Sequence, residues 1–269
     1  MEVLYPGLPG AFAEEAARFF AEGGECRPVA HLQEAVTRAA HGERAVVPLE
    51  SSLAGEVPSV QDLLWQHRVS ILGEHRVRVR LALIGAPGSS LERVERVASH
   101  GMALAQCGRW LQAHPGWVTA LTSSTAAAVA EVVERRDPTF AAIAAPRAAS
   151  LFGAVVLADA IEDPPGGFTR FLLIGGPGAE APVTTRRKAT LAFTLPHRPG
   201  SLAKALAVLA DRDLDLSRLG SRPLPDRPFE YAFHADVVGP DEALAAGLHA
   251  FAAAVIGLHV LGTYPCEES

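Results

Sequence analysis

One stretch divides the chain: Gly175-Gly176-Pro177-Gly178-Ala179-Glu180-Ala181-Pro182. Glycine and proline at this density favour turns and do not continue a helix or a central strand. Before this stretch, short apolar runs alternate with amphipathic segments. After it, the spacing of apolar residues changes in turn between that typical of a strand and that typical of a helix. We therefore predict a large α/β body over residues 1–176, a linker over 177–187 and a small C-terminal module over 188–269.

The pattern of the body predicts alternating strands and helices with mostly parallel pairing. Strands are predicted at residues 3–5, 45–48, 69–72, 94–98, 118–121, 140–144, 155–158 and 171–174. Helical spacing of apolar residues is found at 13–21, 31–40, 59–66, 102–113 and 126–134. Short strands separated by helices of this length are typical of an α/β fold.

A strict alternation over residues 76–83 predicts one long, half-buried strand. Arg76, Arg78 and Arg80 fall on one face of it, and apolar residues fall on the other. We expect this strand to carry the chain from one lobe of the body to a second. The return is expected near residues 159–167, because Asp163-Pro164-Pro165-Gly166-Gly167 cannot hold a helix or a central strand. The lobes would comprise about residues 1–78 with 160–176, and 79–159, with a cleft between them.

The C-terminal module shows the order strand, helix, strand, strand, helix, strand. The predicted segments are 188–195, 202–212, 214–219, 229–237, 241–256 and 258–264, with a turn at 223–228. This βαββαβ order is that of a ferredoxin-like module.

Composition excludes several functions. The 269 residues carry a formal net charge of −6 and a pI near 5.9, which disfavours nucleic-acid binding. Cys26, Cys107 and Cys266 are too far apart for a disulfide framework or a metal site. The N-terminus resembles no signal peptide, and no apolar run is long enough to span a membrane. We expect a cytoplasmic protein without metal.

Several short motifs, taken in order, resemble those of the prephenate dehydratase family over nearly the whole chain. The strongest is Thr169-Arg170-Phe171, preceded by Ala141-Ala142-Ile143-Ala144. The others are Gly7-Leu8-Pro9-Gly10-Ala11-Phe12, Pro48-Leu49-Glu50-Ser51-Ser52 with Gly55, Gln106-Cys107, Ser124-Thr125-Ala126, His197-Arg198-Pro199-Gly200-Ser201-Leu202 and Ser221-Arg222-Pro223.

The resemblance implies a catalytic domain like the type 2 periplasmic binding proteins and a C-terminal ACT domain. It also implies conversion of prephenate to phenylpyruvate without a cofactor, inhibition by L-phenylalanine, and a homodimer or homotetramer. Prephenate is a dianion that loses carbon dioxide and hydroxide as its ring becomes aromatic. Such a reaction needs a bound dianion and stabilisation of charge on the leaving oxygen.

Two residues are the catalytic candidates. The family motif indicates Thr169 as a hydrogen-bond donor to the leaving group; from its position alone it would be a residue that merely begins a strand. Glu50 follows a predicted strand, and we expect it to orient the site or, if burial disfavours its charge, to hold a proton. A surface carboxylate is the common alternative.

Substrate-binding candidates come from the same motifs: Gly10, Ala11, Ser52, Gln106, Ser124, Thr125, Arg170 and Phe171. Amide groups at the glycine loop and at the helix after Ser124 suit a carboxylate, although a plain turn and a plain helix cap are the alternatives. Ser52 could equally form a local turn. Cys107 is expected to be a small buried residue rather than a nucleophile.

The regulatory candidates for binding phenylalanine are His197, Arg198, Pro199, Gly200, Ser201, Leu202, Ser221 and Arg222. A turn with glycine before a helix offers amide donors to an amino-acid carboxylate, but it also suits an ordinary strand-to-helix connection.

Two other functions stay open. Arogenate is a rival substrate, and the residues do not decide against it. A weakened amino-acid sensor is the second, because Ala11, Ser51, Met102 and Gly167 depart from the residues common in the family. Gly220, before Ser221, departs as well and weakens the match of the regulatory segment. An ordinary solute-binding protein is disfavoured by the absence of a recognisable signal peptide.

Overall fold

The structure, a computed structural model, describes residues 1–224 and 227–267, so the turn predicted at 223–228 lies partly outside the described residues. The strands are β1 (Val3–Pro6), β2 (Cys26–Val29), β3 (Ala45–Ser51), β4 (Gly55–Glu56), β5 (Ser70–Arg78), β6 (Ala82–Gly85), β7 (Arg96–Ser99), β8 (Val118–Leu121), β9 (Phe140–Ala144), β10 (Val155–Ala158), β11 (Phe168–Gly175), β12 (Arg186–Thr194), β13 (Asp215–Leu224), β14 (Arg227–Pro240) and β15 (Ile256–Pro265). The helices are α1 (Phe12–Ala21), α2 (Leu32–Ala40), α3 (Pro58–His67), α4 (Gly101–Gln106), α5 (Gly108–Gln112), α6 (Thr125–Arg135), α7 (Pro146–Phe152), α8 (Ser201–Ala210) and α9 (Asp241–Ala254).

The described strands form three sheets in a mixed α/β fold. The first sheet has the order β2-β1-β3-β11-β5, with β4 paired to β3. The second has the order β10-β6-β9-β7-β8, and the third the order β13-β14-β12-β15. The predicted βαββαβ sequence of elements in the C-terminal module is therefore observed.

The prediction of mostly parallel pairing is only partly right. β1 pairs in parallel with β2 and β3, and β7 pairs in parallel with β8 and β9. In contrast, β6 lies antiparallel to both β9 and β10. β6 is the strand by which the chain enters the second sheet, and it runs opposite to both of its neighbours, whereas β9 and β10, which are joined through α7, run in the same direction.

The prediction of one long strand over residues 76–83 is wrong. The alternation of buried and exposed residues is present, but β5 ends at Arg78 and β6 begins at Ala82 in a different sheet. Between them, the Val79 N–H donates to the Gly167 carbonyl at 2.8 Å, and the Leu81 N–H donates to Glu162 Oε2 at 2.9 Å. Residues 79–81 are thus hydrogen-bonded to residues 162–167, which bring the chain back to the first sheet. Because of these bonds, β5 does not continue past Arg78.

The helix predicted at 102–113 is two helices, α4 and α5, which meet at Cys107. The Asp163 carboxylate accepts hydrogen bonds from the Arg109 N–H at 2.7 Å and the Trp110 N–H at 3.3 Å. A side-chain acceptor at a helix N-terminus satisfies amide groups that have no partner within the helix. Asp163 therefore caps the N-terminus of α5 and makes it a separate helix. The local sequence pattern does not indicate this, because Asp163 is distant from α5 in sequence.

Alternation in β9 explains how the second sheet is covered on both faces. Ala142 and Ala144 pack with Val129 and Val132 of α6, whereas Ala141 and Ile143 face the other way. The residues on this second face belong to a separate apolar cluster that includes Ala103 and Cys107. Every residue of β9 is buried, as expected for a central strand covered on both sides.

Contacts divide the chain into two compact units. One comprises Met1–Ala35, Ala45–Val57 and His75–Phe171, and the other comprises Val36–Arg44, Pro58–Glu74 and Leu172–Ser269. The second unit thus holds the third sheet together with segments from the predicted body, a grouping that the sequence did not indicate.

Within the second unit, buried contacts connect the third sheet to residues 58–74. The Lys188 ammonium donates to both Glu74 carboxylate oxygens, at 2.7 and 2.8 Å, and both side chains are buried. At Gly262, an added Cβ would lie 2.3 Å from the Ile71 carbonyl oxygen, so only glycine fits there. The face of the sheet opposite α8 and α9 is therefore covered.

Candidate functional site

The Thr169-Arg170-Phe171 motif lies at the start of β11. Phe171 is buried in the core, Thr169 is half-buried, and Arg170 points to the face opposite both because side chains alternate along a strand. Among the described residues, no hydrogen-bond partner is found for the Thr169 hydroxyl. This hydroxyl is therefore available to a ligand.

Glu50, near the end of β3, contacts the neighbouring residue of the motif. Arg170 Nη1 donates to Glu50 Oε1 at 2.9 Å, and the Arg170 side chain is 8% exposed, against 31% for Glu50. A carboxylate beside a nearly buried guanidinium fixes the direction of that side chain. This contact is the one that an orienting role for Glu50 requires.

Ser52 holds the residue immediately before Thr169. The Ser52 N–H donates to the Phe168 carbonyl at 2.8 Å, and the Ser52 hydroxyl accepts from the Phe168 N–H at 2.9 Å. The local turn considered for Ser52 is instead formed by Ser51, whose hydroxyl accepts from Leu53 and Ala54 N–H groups at 3.3 Å. Ser52 thus fixes the backbone at the start of β11.

Gly167 lies against the side chain of Leu53. A Cβ added at Gly167 would lie 2.6 Å from Leu53 Cδ1, the end of an exposed side chain that would have to move. The departure at Gly167 is therefore matched by an apolar residue in direct contact, beside the candidate catalytic strand.

Gln106, the last residue of α4, contacts the start of the turn at residues 163–167 that leads into β11. It is buried, and its backbone carbonyl accepts a hydrogen bond from the Asp163 N–H at 2.5 Å. The adjacent Cys107 is fully buried, and burial raises the pKa of its thiol to about 12. A thiol with such a pKa is protonated near neutral pH and is a poor nucleophile, as we expected.

The glycine loop is anchored in a way that the sequence did not indicate. The Gly10 N–H donates to Glu14 Oε2 at 2.6 Å, and the Ala11 N–H donates to the Leu8 carbonyl at 3.2 Å. Both amides proposed for binding a carboxylate are thus already engaged. The spacing of Gly10 and Glu14 was a usable local signal, but the Arg147 side chain, which also donates to Glu14, is distant in sequence.

A cavity of about 590 Å³ lies between the glycine loop and the start of α6. Its lining includes Gly7, Leu8, His31 and Ser124. The Ser124 hydroxyl caps α6 by accepting from the Ala127 N–H at 3.1 Å. Of the predicted substrate-binding residues that the structure describes, only Ser124 lines this cavity; Gly10, Ala11 and Thr125 do not.

A second cavity, of about 380 Å³, lies in the C-terminal module. It is lined by Leu195, Pro196, His197, Arg198, Pro199, Ser201, Leu202, Glu230, Tyr231 and Phe233. Five predicted regulatory residues are among them, while Gly200 precedes α8 with a left-handed φ of 81°. Sequence reasoning missed the three residues of β14, although the alternation of an acidic with aromatic residues was visible.

The second predicted regulatory segment contributes differently. Ser221 pairs in register with Phe233, which lines the cavity. Arg222 instead donates to Asp62 Oδ2 of α3 at 3.0 Å, within the same compact unit. Neither Ser221 nor Arg222 lines the cavity in the part of the chain that the structure describes.

Neither a metal cluster nor a membrane helix is found in residues 1–224 and 227–267. No group of three or more histidine, cysteine, aspartate or glutamate side chains could hold a metal ion there. None of the helices in these residues is both long and apolar enough to cross a membrane.

Comparison with known proteins decides the family. A model of the family described as prephenate dehydratase matches residues 3–178, which include all the motifs of the body. The chain belongs to the prephenate dehydratase family. It is accordingly a lyase, and the family places it in aromatic amino-acid biosynthesis.

Three similar proteins illustrate the range of this family. The arogenate dehydratase/prephenate dehydratase 2 of Arabidopsis thaliana is 34% identical over 287 residues, which cover 100% of this chain and 74% of the relative. The prephenate dehydratase of Arthrobacter aurescens, solved with L-Phe, is 32% identical with a TM-score of 0.88 and covers 99% of this chain and 90% of its own. A third structure, described as a novel type of quorum-quenching acylase, is 31% identical with a TM-score of 0.88. The match covers 99% of this chain and 98% of the acylase chain.

Proposed function

We propose that this enzyme converts prephenate to phenylpyruvate at Thr169 and is inhibited by L-phenylalanine at the 380 Å³ cavity. The observation that carries the proposal is the restraint of β11 on both sides of Thr169. Ser52 holds Phe168, and Glu50 holds Arg170, while the Thr169 hydroxyl keeps its hydrogen-bonding capacity for a ligand. Such prior positioning is what a donor to a developing charge needs.

The reaction follows from the chemistry of the substrate. The ring carboxylate leaves as carbon dioxide, and the released electron pair enters the ring and expels the hydroxyl group. The Thr169 hydroxyl donates a hydrogen bond to the departing oxygen, which leaves as hydroxide and becomes water by taking up a proton from the solvent. A threonine hydroxyl is too weak an acid to transfer its proton outright, so its contribution is electrostatic.

The architecture belongs to the same proposal. The first and second sheets would form the two lobes of a catalytic domain like the type 2 periplasmic binding proteins, over about residues 1–176. Residues 188–269 would form an ACT domain, supported by its βαββαβ order and its antiparallel sheet. We also place the protein in the cytoplasm as a homo-oligomer; free Cys26, Cys107 and Cys266 suit a reducing compartment.

The second cavity offers each group that an aromatic amino acid requires. Glu230 supplies a carboxylate for the ammonium group, and the start of α8 supplies amide donors for the carboxylate. Tyr231 and Phe233 supply aromatic surface. The L-Phe bound by the Arthrobacter relative supports this assignment.

Steady-state kinetics with prephenate and with arogenate, each with and without L-phenylalanine, test the proposal. We expect phenylpyruvate from prephenate and inhibition by phenylalanine. A preference for arogenate would favour the activity named for the Arabidopsis relative. Saturable phenylalanine binding without turnover of either compound would favour a weakened sensor. Because a relative of like fold is described as an acylase, the fold alone does not decide the reaction.

A further inference from the structure

Glu14 of α1 is a buried carboxylate that connects α1, which follows a strand of the first sheet, to α7, which follows a strand of the second. It lies beyond the carboxyl end of β1, in the first sheet, and its side chain is 5% exposed. Arg147, which donates to Glu14 Oε2, lies in α7 just beyond the carboxyl end of β9, in the second sheet. All these residues belong to one compact unit.

The same carboxylate fixes the glycine loop against α7. The Gly10 N–H donates to Glu14 Oε2 at 2.6 Å. Gly10 has a left-handed φ of 92°, and an added Cβ would lie 3.1 Å from the Ala148 Cβ. The loop therefore lies directly on α7, and only a residue without a side chain allows this approach.

Charge strengthens the arrangement. Burial alone would raise the pKa of Glu14, but hydrogen bonds from Gly10 and Arg18 and the charge of Arg147 hold that pKa below its ordinary value. The carboxylate is therefore ionised near neutral pH. Arg18 donates to the other oxygen, Oε1, at 2.7 and 3.1 Å, but it lies on the same helix as Glu14 and its side chain is 61% exposed. Among the residues that the structure describes, Arg147 alone connects Glu14 to an element that follows a strand of the second sheet.

We propose that Glu14 and Arg147 are positioning residues for the lyase reaction. In α/β proteins, ligands bind beyond the carboxyl ends of the strands. The Glu14–Arg147 ion pair joins such ends from the two sheets, and so sets the spacing between the surfaces that must hold a rigid dianion. This inference rests on the proposed function, because that function supplies the substrate.

Arg147→Met, with Arg18→Met as the matched control, tests the inference. Each substitution removes one guanidinium from the same carboxylate, but only the first removes the ion pair between α1 and α7. We expect kcat/KM for prephenate to fall about tenfold to about a hundredfold in Arg147→Met, mainly through KM, and to stay within about twofold in Arg18→Met. Arg147→Lys, which keeps a cation, should restore part of the loss.

Circular dichroism and active-enzyme titration correct each rate for the folded fraction, since a loss of folded protein lowers kcat and leaves KM unchanged. Equal kinetics in Arg147→Met and Arg18→Met, or a loss confined to kcat, would overturn the inference while leaving the proposed function intact. A wild-type protein inactive on both prephenate and arogenate would overturn the proposed function and this inference with it.

Discussion

Three consecutive residues of β11 have three different physical roles. Phe171 is buried in the core and secures the strand, Arg170 pairs with Glu50, and the Thr169 hydroxyl has no hydrogen-bond partner among the residues that the structure describes. Alternation along a strand makes this possible, because neighbouring side chains point to opposite faces. The contacts of its two neighbours can therefore hold Thr169 in place.

At the residue scale, Glu14→Gln should lower stability in a way that depends on pH. The folded-state pKa of Glu14 lies below its ordinary 4.5, so its stabilisation is complete above that value and is lost as pH falls through the folded-state pKa. We expect wild type to exceed the variant by about 2 kcal/mol in free energy of unfolding at neutral pH. The difference should shrink below about pH 4.5.

Urea denaturation of both proteins across this pH range measures the difference. Glu131→Gln, which removes an exposed carboxylate paired with Arg135, is the control and should change stability by less than about 1 kcal/mol. A Glu14→Gln deficit that stays constant down to strongly acidic pH would show that the charge of Glu14 is not what stabilises the loop.

Local patterns predicted most strands and helices, but they did not predict every end correctly. β9 and β10 lie where the apolar runs predicted them. The single strand expected over 76–83 is split because Val79 and Leu81 pair with the returning chain, and the helix expected over 102–113 is split because Asp163 caps α5. In each case the deciding partner is distant in sequence.

The candidate site shows the same limit. Family motifs indicated Thr169, Glu50 and Arg170, and the structure brings Glu50 and Arg170 into contact. The Glu14–Arg147 pair could not be predicted, because the two residues are 133 positions apart and neither local sequence pattern indicates a distant partner. Arg222 was expected to face a ligand, whereas in the structure it pairs with Asp62.

The buried Lys188–Glu74 ion pair should be needed for the packing of β12 against β5. Lys188→Met leaves the Glu74 carboxylate buried without its ammonium partner, and we expect a loss of about 3 kcal/mol in free energy of unfolding. The double variant Lys188→Met/Glu74→Gln removes the charge as well, and should recover much of the loss. Chemical denaturation measures both, and a loss below about 1 kcal/mol in the single variant would contradict the prediction.

At the scale of the whole molecule, the compact units cut across the division at residues 175–182. Asp62, within the predicted body, shares a unit with the third sheet and pairs with Arg222. The helix α3 that carries Asp62 begins directly after Val57, whose N–H donates to the Leu49 carbonyl next to Glu50. We hypothesise that this stretch of the chain, residues 49–62, gives phenylalanine binding a route to the candidate site.

Asp62→Asn should weaken inhibition by phenylalanine without changing basal turnover. Both side chains of the Asp62–Arg222 pair are partly exposed, so the pair adds little to stability and its loss leaves the fold intact. We expect the phenylalanine concentration for half-inhibition to rise at least about fivefold, with kcat within about twofold of wild type. Inhibition curves measure this, with Glu131→Gln as the control. An unchanged curve would exclude the route through Asp62.

We assign to the Thr169 hydroxyl the role of assisting departure of the leaving group. The kcat for phenylpyruvate formation from prephenate by Thr169→Val and Thr169→Ser tests this role. Valine keeps the shape and loses the hydroxyl, so we predict a fall of about a hundredfold or more, whereas serine keeps the hydroxyl and should stay within about tenfold of wild type. A folded Thr169→Val protein with wild-type kcat would contradict the account.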